Sequence, residues 1–258
     1  MSRDSPDTVL GPLVKAEGLG HVYRTGASQV VALHGLDLEL AAGETVAIVG
    51  PSGSGKTTLI KILAAVEKPS HGRVAVAGLD LSSMGESQRE DYRRRVVGYL
   101  WQQSEAGLWA ALSAFENVQL PMLGERASRK ERRDRAAYLL DLLGLGGHAD
   151  RRPLELDYGE RQRLALAVAM VNRPRLLLCD EPTAELDSPT AQELLSDVST
   201  LLRNLGVGAV IVTHDPQLER YVDKVVQIRQ SSTSDLPFAA PVTGAASLRM
   251  LRQEAGRA

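Results

Sequence analysis

Cysteine and aromatic residues are scarce in this chain of 258 residues, which has one cysteine, two tryptophans, six tyrosines and two phenylalanines. A lone cysteine cannot form a disulfide within the chain, so nothing in the sequence indicates an oxidising compartment. Uninterrupted apolar runs of about 18 residues are also absent, and the first residues lack the apolar stretch of a secretory signal. We therefore expect a soluble intracellular chain, which another polypeptide must hold if it works at a membrane.

An excess of charge of either sign is missing as well. The sequence has 30 Lys and Arg against 32 Asp and Glu, which gives a net charge of −2. Proteins that bind nucleic acid through its phosphates usually carry a basic excess, so a nucleic-acid partner is not expected. The hydrophobic fraction of 43% and the charged fraction of 24% are ordinary for a globular protein of this length.

Short apolar segments predict an α/β fold. Apolar and polar residues alternate within 14–40, which predicts half-exposed antiparallel strands. Continuous apolar runs at 45–49, 176–179 and 209–212 predict strands that are buried on both faces. Between about residues 84 and 170 the composition shifts toward Arg, Glu, Leu and Ala, which predicts a helical subdomain inserted into the α/β core.

The ends of the chain differ in composition from its centre. The first residues are polar and the last are rich in Ser, Thr, Pro and Ala. We predict an N-terminal arm at 1–13, a single domain at 14–230, and a flexible tail at 231–258 with a short helix at 247–254.

A phosphate-binding loop is the strongest local signal. The segment Gly-Pro-Ser-Gly-Ser-Gly-Lys-Thr, from Gly50 to Thr57, fits the pattern G-x-x-x-x-G-K-[ST]. Such a loop turns backbone N–H groups toward phosphate oxygens, Lys56 reaches the β- and γ-phosphates, and the Thr57 hydroxyl binds Mg²⁺. A chance glycine loop is the alternative, but this one follows a buried strand and precedes a helical pattern. The candidate nucleotide-binding residues here are Gly50, Ser52, Gly53, Ser54, Gly55, Lys56, Thr57 and Thr58.

Two carboxylates follow the apolar run that ends at Cys179. Asp180 at a strand end can lie near the phosphate loop and hold Mg²⁺, and Glu181 can act as general base toward the attacking water. Alone, an Asp-Glu pair is usually a solvated strand end; beside the loop, the catalytic interpretation is favoured. Cys179 itself is interpreted as a small buried side chain rather than a reactive thiol.

The order of these motifs resembles the ATP-binding subunit of ABC (ATP-binding cassette) transporters, in particular the macrolide-exporter and lipoprotein-release branch. The resemblance covers roughly residues 14–230. Besides the two sites above, it is carried by Val97–Gln102, Glu116–Val118, Asn172–Pro174, Leu186–Ser188 and Thr213–Asp215. It implies a P-loop ABC ATPase core with an antiparallel β subdomain and a helical subdomain, and ATP and Mg²⁺ as cofactors. It also implies a membrane permease and a second cassette as partners.

The resemblance assigns further roles by position. Tyr23 matches the aromatic residue that stacks on adenine, although a tyrosine packed over the core would look the same. Gln102 matches the glutamine that contacts Mg²⁺ and the attacking water, within a segment slightly longer than the family's. His214 matches the histidine that bonds the γ-phosphate, and Asp187 the residue that links the two composite sites of a dimer.

The family signature Leu-Ser-Gly-Gly-Gln is altered in this chain. It aligns with Leu156–Glu160, where Asp157 replaces the serine, Tyr158 replaces the first glycine and only Gly159 is retained. In the family this segment binds the γ-phosphate of ATP held by the opposite subunit. Asp157 can simply cap the following helix, with Glu160 completing a capping box. Alternatively, its carboxylate faces a polyanion and impairs that composite site.

These observations predict an ATP-hydrolysing subunit that powers a separate permease through ATP-driven dimerisation, peripheral on the inner, cytoplasmic face of the membrane. Its hydrolysis could be slow in isolation. A heterodimer, in which another cassette supplies a complete signature, is favoured over a homodimer with two slow sites. The alternative function is an ATP-dependent regulatory clamp that gates a membrane partner without transport.

Overall fold

Ten strands and six α-helices form in the described part of the computed structural model, which comprises residues 11–25, 28–102, 107–214, 216–228 and 239–242. The strands are β1 (Val14–Thr25), β2 (Ser28–Leu40), β3 (Thr45–Val49), β4 (His71–Val76), β5 (Leu79–Asp80), β6 (Val97–Leu100), β7 (Leu176–Asp180), β8 (Gly208–Thr213), β9 (Lys224–Ile228) and β10 (Ala239–Val242). The α-helices are α1 (Lys56–Leu63), α2 (Glu86–Arg95), α3 (Ala114–Gln119), α4 (Arg129–Leu142), α5 (Tyr158–Met170) and α6 (Ser188–Leu205). Short 3₁₀ helices lie at Leu120–Gly124, Gly146–His148, Pro153–Glu155 and Pro216–Tyr221.

The strands form two sheets of different kinds. One is antiparallel, with the order β2-β1-β4-β5. The other has the order β10-β9-β3-β8-β7-β6, and its strands are parallel except for β10, which pairs antiparallel with β9. The predicted α/β fold with an antiparallel β subdomain is confirmed.

The large sheet separates two hydrophobic cores, because successive side chains of a strand point to opposite faces. In β7, Leu177 and Cys179 belong to one core, which also contains residues of α3 to α6. Leu176 and Leu178 belong to the other core, which the antiparallel sheet and α1 share. Burial on both faces explains why the predicted strands of this sheet appear in the sequence as continuous apolar runs.

Within 84–170 the chain is mostly helical, but one segment joins the large sheet. The strand β6 lies in this range and pairs in parallel with β7. Its glycine, Gly98, lies against the α5 helix, where an added Cβ would collide with the carbonyl oxygen of Ala169. The helical region therefore packs against the edge of the large sheet at β6, a strand that the composition of the region did not predict.

The end of the chain contributes a strand to the sheet. Residues 239–242 form β10, so the segment predicted as a flexible tail contains an element of regular structure. Of the predicted arm at 1–13, residues 1–10 lie outside the described residues, as does the predicted helix at 247–254, while Leu13 is buried in the core that contains α1. Among the described helices, α6 is the longest with 18 residues, and none is both long and apolar enough to span a membrane.

Candidate nucleotide-binding site

The loop between β3 and α1 has the backbone that the phosphate-loop pattern requires. Gly55 caps the helix at φ 94°, in the left-handed region that glycine tolerates, and a Cβ there would collide with the carbonyl oxygen of Ala32. No side chain accepts a hydrogen bond from the first turn of α1 at this cap. Because the amides of a helix N-terminus carry partial positive charge, they form a binding position for an anion.

Lys56 lies over this loop. Its Nζ donates hydrogen bonds to the carbonyl oxygens of Gly50 at 2.7 Å and Pro51 at 3.1 Å. The two carbonyl oxygens keep the ammonium group close to the loop, where it would contact a bound phosphate.

Asp180 ends β7 beside the first turn of α1. The Thr57 hydroxyl donates a hydrogen bond to its carboxylate. Burial raises the pKa of Asp180, and the charge of Glu181 adds to this, while Thr57, Lys56 and Lys61 act in the opposite direction. With the Gln102 side chain on the same cavity, the available donors are a hydroxyl, a carboxylate and an amide oxygen. Oxygen donors of this kind suit Mg²⁺.

Glu181 and His214 form a pair at the ends of the neighbouring strands β7 and β8. The Glu181 Oε2 accepts a hydrogen bond from the His214 backbone N–H at 3.2 Å and lies 2.9 Å from its Nδ1. Glu181 has φ 48°, a conformation that is uncommon for a residue with a side chain and is often found at functional sites. Its side chain is mostly buried, whereas that of His214 is 71% exposed.

These groups line one cavity of about 610 Å³. The sequence-predicted residues that line it are Ser52, Gly53, Gly55, Lys56, Thr57, Thr58, Gln102, Glu181 and His214. Gly50, Ser54 and Asp180 lie immediately behind it, in the loop and at the end of β7. The structure thus brings the predicted phosphate, metal and catalytic groups of one half-site together.

Sequence reasoning missed the apolar wall of the cavity. Val30 and Val31 on β2 line it and are 60% and 46% exposed. A weak signal was present in the sequence, because two adjacent β-branched residues interrupt the alternation of apolar and polar positions in this strand. Exposed apolar side chains next to a phosphate loop offer a contact surface for a planar base.

Tyr23 borders the same end of the cavity. It pairs across the β1–β2 ladder with Val30, and its hydroxyl lies 3.5 Å from the Thr58 Oγ1 and 3.1 Å from the Glu67 Oε1. Both Val30 and Thr58 line the cavity, although Tyr23 does not.

Asp157, Gly159 and Asp187 lie together, but they do not line this cavity. Asp157 caps α5, with its Oδ1 accepting from the Glu160 N–H at 2.7 Å while the Glu160 carboxylate accepts from the Asp157 N–H at 2.9 Å. Asp187 caps α6 by accepting from the Thr190 N–H, and this bond lowers its pKa. A Cβ on Gly159 would lie 2.9 Å from the Thr190 Cγ2, so the starts of the two helices are in contact.

Tyr158, the second position predicted to depart from the family signature, lies next to Asp157. Its hydroxyl accepts a hydrogen bond from the Gln162 Nε2 at 3.2 Å and is also hydrogen-bonded to Glu185, close to Asp187 in the chain. The Arg161 guanidinium lies 5.6 Å from its ring centroid. The start of α5 is therefore an ordered helix end at which the side chains of Asp157 and Tyr158 both have partners.

The fold and the loop define a class of protein, namely α/β proteins that bind nucleotides through a phosphate loop. Comparisons with known proteins specify the family. A family profile described as "ABC transporter" matches residues 33–184. The lipoprotein-releasing system ATP-binding protein LolD of Chromohalobacter salexigens is 41% identical over 223 residues, covering 86% of this chain and 93% of that protein. The chain therefore belongs to the ABC transporter family, and it is an ABC ATPase.

Other relatives agree with this assignment. The macrolide export ATP-binding/permease protein MacB of Rhodopirellula baltica is 38% identical over 225 residues, covering 86% of this chain but 33% of that protein. A solved dimeric bacterial ABC transporter cassette has a TM-score of 0.77 and 31% identity, covering 90% of this chain and 99% of that one. A post-hydrolysis state of that cassette, bound to ADP and phosphate, matches equally well.

Proposed function

We propose that this chain binds ATP with Mg²⁺ in the cavity beside the phosphate loop, hydrolyses it, and thereby powers a separate membrane permease from the cytoplasmic face. One observation carries the proposal. The Thr57–Asp180 hydrogen bond and the Glu181–His214 pair meet at the loop that holds Lys56. Phosphoryl transfer to water requires a glycine-rich loop, a lysine, oxygen ligands for a metal and a base, and these groups lie close together here.

Each residue has a defined task in this proposal. Lys56 and the amides at the start of α1 bind the phosphate oxygens, and Thr57, Gln102 and Asp180 hold the metal. Mg²⁺ would neutralise part of the charge that develops on the transferred phosphate. His214 and Tyr23 are expected to contact the γ-phosphate and the adenine, respectively.

Glu181 is the proposed general base. The attacking water gives a proton to its carboxylate as the oxygen of the water bonds to the γ-phosphorus and the bond to the β-phosphate oxygen breaks. Because the His214 N–H and Nδ1 both contact the Oε2, they fix the carboxylate and leave the Oε1 to face the water.

A second cavity supports a permease as partner. It encloses about 360 Å³ and is lined by Val66, Trp101, Arg93 and Arg94, among others. Val66 and Trp101 are 51% and 45% exposed, so two large apolar side chains beside this cavity are in contact with solvent. Trp101 directly precedes Gln102, so a cytoplasmic segment of a permease bound here would contact the chain next to the metal ligands. The lipoprotein-releasing and macrolide-export relatives support a membrane partner of this kind.

The altered signature supports an impaired composite site. The Asp157 carboxylate occupies the Glu160 N–H at the start of α5, where the family presents a serine and free amides to phosphate. A phosphate from an opposite subunit would therefore meet a carboxylate of the same sign of charge. We favour a heterodimer, in which another cassette supplies an intact signature to the ATP held by this chain.

ATP hydrolysis by the purified chain alone tests this proposal. We expect slow turnover that Glu181→Gln lowers further. The double variant Asp157→Ser with Tyr158→Gly is expected to raise turnover by at least about tenfold, which corresponds to about 1.4 kcal/mol of barrier. Rapid turnover of the unchanged chain would contradict the impaired signature, and turnover unaffected by Glu181→Gln would contradict the role of Glu181.

The regulatory clamp is the second candidate, and the altered signature favours it too, because slow hydrolysis suits a switch. Purification of the chain from membranes with its partner distinguishes the two functions. Turnover that rises when the partner's cargo is added indicates transport, whereas turnover independent of cargo indicates a clamp.

A further inference from the structure

One carboxylate contacts two aromatic rings next to Val30 and Thr58, which line the cavity. Glu67 follows α1, and its Oε1 accepts a hydrogen bond from the Tyr23 hydroxyl at 3.1 Å. Its Oε2 lies 3.0 Å from the Nε2 of His21, whose side chain is only 10% exposed. His21 and Tyr23 are two positions apart on β1, in a part of the strand where its register with β2 shifts.

The two rings also contact each other. Their centroids are 4.6 Å apart and their planes meet at 76°, which is an edge-to-face arrangement. The Lys61 Nζ lies 3.9 Å from the Glu67 Oε1 and adds a positive charge on the side of α1. Tyr23 is therefore fixed at its hydroxyl by Glu67 and at its ring by His21.

This arrangement matters because stacking needs a ring that is already oriented. A half-exposed tyrosine that rotates freely loses side-chain entropy when a base stacks on it, whereas a tyrosine fixed beforehand loses less. The Tyr23 hydroxyl also lies 3.5 Å from the Thr58 Oγ1, next to the proposed metal ligand Thr57. The ring is thus held at a set position relative to the phosphate loop.

We propose that Glu67 is a positioning residue for nucleotide binding, which holds Tyr23, directly and through His21, in the orientation that stacks on the base. This inference rests on the stacking role of Tyr23 under the proposed function. It assigns to Glu67 a contribution to affinity for the base and none to affinity for the phosphates.

The test compares two ligands on the full-length chain by calorimetric titration in the presence of Mg²⁺. ATP carries the base, and inorganic tripolyphosphate carries only the phosphates. Glu67→Ala and Tyr23→Phe are each expected to weaken ATP binding by about three- to tenfold, while tripolyphosphate affinity is unchanged. Glu67→Gln keeps an acceptor for the Tyr23 hydroxyl and is expected to retain most of the ATP affinity.

Two further variants make the test specific. Tyr23→Ala is expected to lower ATP affinity at least as much as Glu67→Ala, and adding Glu67→Ala to Tyr23→Ala is expected to cause no further loss, because both act through one ring. Glu125→Ala removes a carboxylate that contacts Arg95 at 3.4 Å, outside the cavity, and serves as the control that leaves both affinities unchanged.

The outcomes separate the inference from the function on which it rests. If Tyr23→Ala weakens ATP binding and Glu67→Ala does not, the positioning role is wrong and stacking stands. If Glu67→Ala weakens ATP and tripolyphosphate equally, it disturbs the phosphate loop, which also overturns the role. If Tyr23→Ala leaves ATP affinity unchanged, the stacking role itself is wrong and the inference falls with it.

Discussion

The ionisation of single carboxylates follows from their immediate neighbours. Asp180 and Asp187 are both aspartates near the ends of regular elements, yet their pKa values shift in opposite directions. Burial and the adjacent Glu181 raise the pKa of Asp180, whereas hydrogen bonds from Thr190 lower that of Asp187. Folding therefore makes ionisation of Asp180 less favourable, and a bound cation would offset this effect.

Asp180→Asn is expected to stabilise the nucleotide-free chain at pH 7 while abolishing the dependence of ATP binding on Mg²⁺. Because the pKa of Asp180 is raised in the folded state, the free energy of unfolding of the wild type falls as pH rises through that pKa. The stabilisation by Asp180→Asn relative to the wild type is therefore largest above this pKa and becomes smaller as pH decreases. Thermal unfolding should show an increase of about 1–3 °C.

Asp150→Asn removes one exposed negative charge elsewhere and is the matched control. If it produces the same increase in unfolding temperature, the effect comes from net charge rather than from the site.

At the scale of elements, Asp157 serves as the N-cap of a helix. Both α4 and α5 begin with a capping box, in which Ser128 pairs with Glu131 and Asp157 with Glu160. In each, the side chain of the capping residue accepts from the N–H three residues later, and the glutamate there accepts from the N–H of the capping residue. Asp157 therefore satisfies the start of α5 in the same way as Ser128 satisfies the start of α4.

Asp157→Ala is expected to lower the free energy of unfolding by about 1 kcal/mol, because it removes the cap, whereas Asp157→Ser keeps an acceptor and is expected to be nearly neutral. Urea denaturation measures both. Ser128→Ala removes the equivalent cap of α4 and should cost a similar amount without changing ATP turnover. A large stability loss in Asp157→Ser would contradict the proposed equivalence of the two caps.

At the scale of the whole molecule, two groups of predicted site residues lie apart. The cavity contains the phosphate loop, Glu181 and His214, while Asp157, Gly159 and Asp187 lie together outside it. A single chain therefore does not bring the second group to the cavity, and under the proposed function a second cassette supplies its signature there.

Sedimentation velocity of the Glu181→Gln variant with ATP and Mg²⁺ tests which cassette that is. We expect a monomer, because the carboxylate of Asp157 would repel the γ-phosphate of the ATP that a second identical chain binds. Adding Asp157→Ser and Tyr158→Gly is expected to yield an ATP-dependent dimer, with ADP as the negative control. A stable dimer of Glu181→Gln alone would favour a homodimer over the heterodimer.

Local sequence signals predicted most of the fold and the centre of the site. The phosphate loop, the buried strands and the carboxylates after Cys179 are each encoded within a few consecutive residues, so their chemistry is readable without a structure. The strand β6 escaped prediction because it is short and lies inside an Arg- and Glu-rich region. Its strand character depends on pairing with β7, which the local composition does not encode.

Local patterns in the sequence are sufficient to predict an α/β protein with an ATP-binding phosphate loop. Which side chains meet depends on the folded chain. Tyr23 and Glu67 are 44 positions apart, and Glu181 and His214 are 33 apart. Contacts at such separations depend on how the two sheets and α1 pack, which no local pattern specifies. For the same reason, the positioning of Tyr23 emerged only from the folded chain.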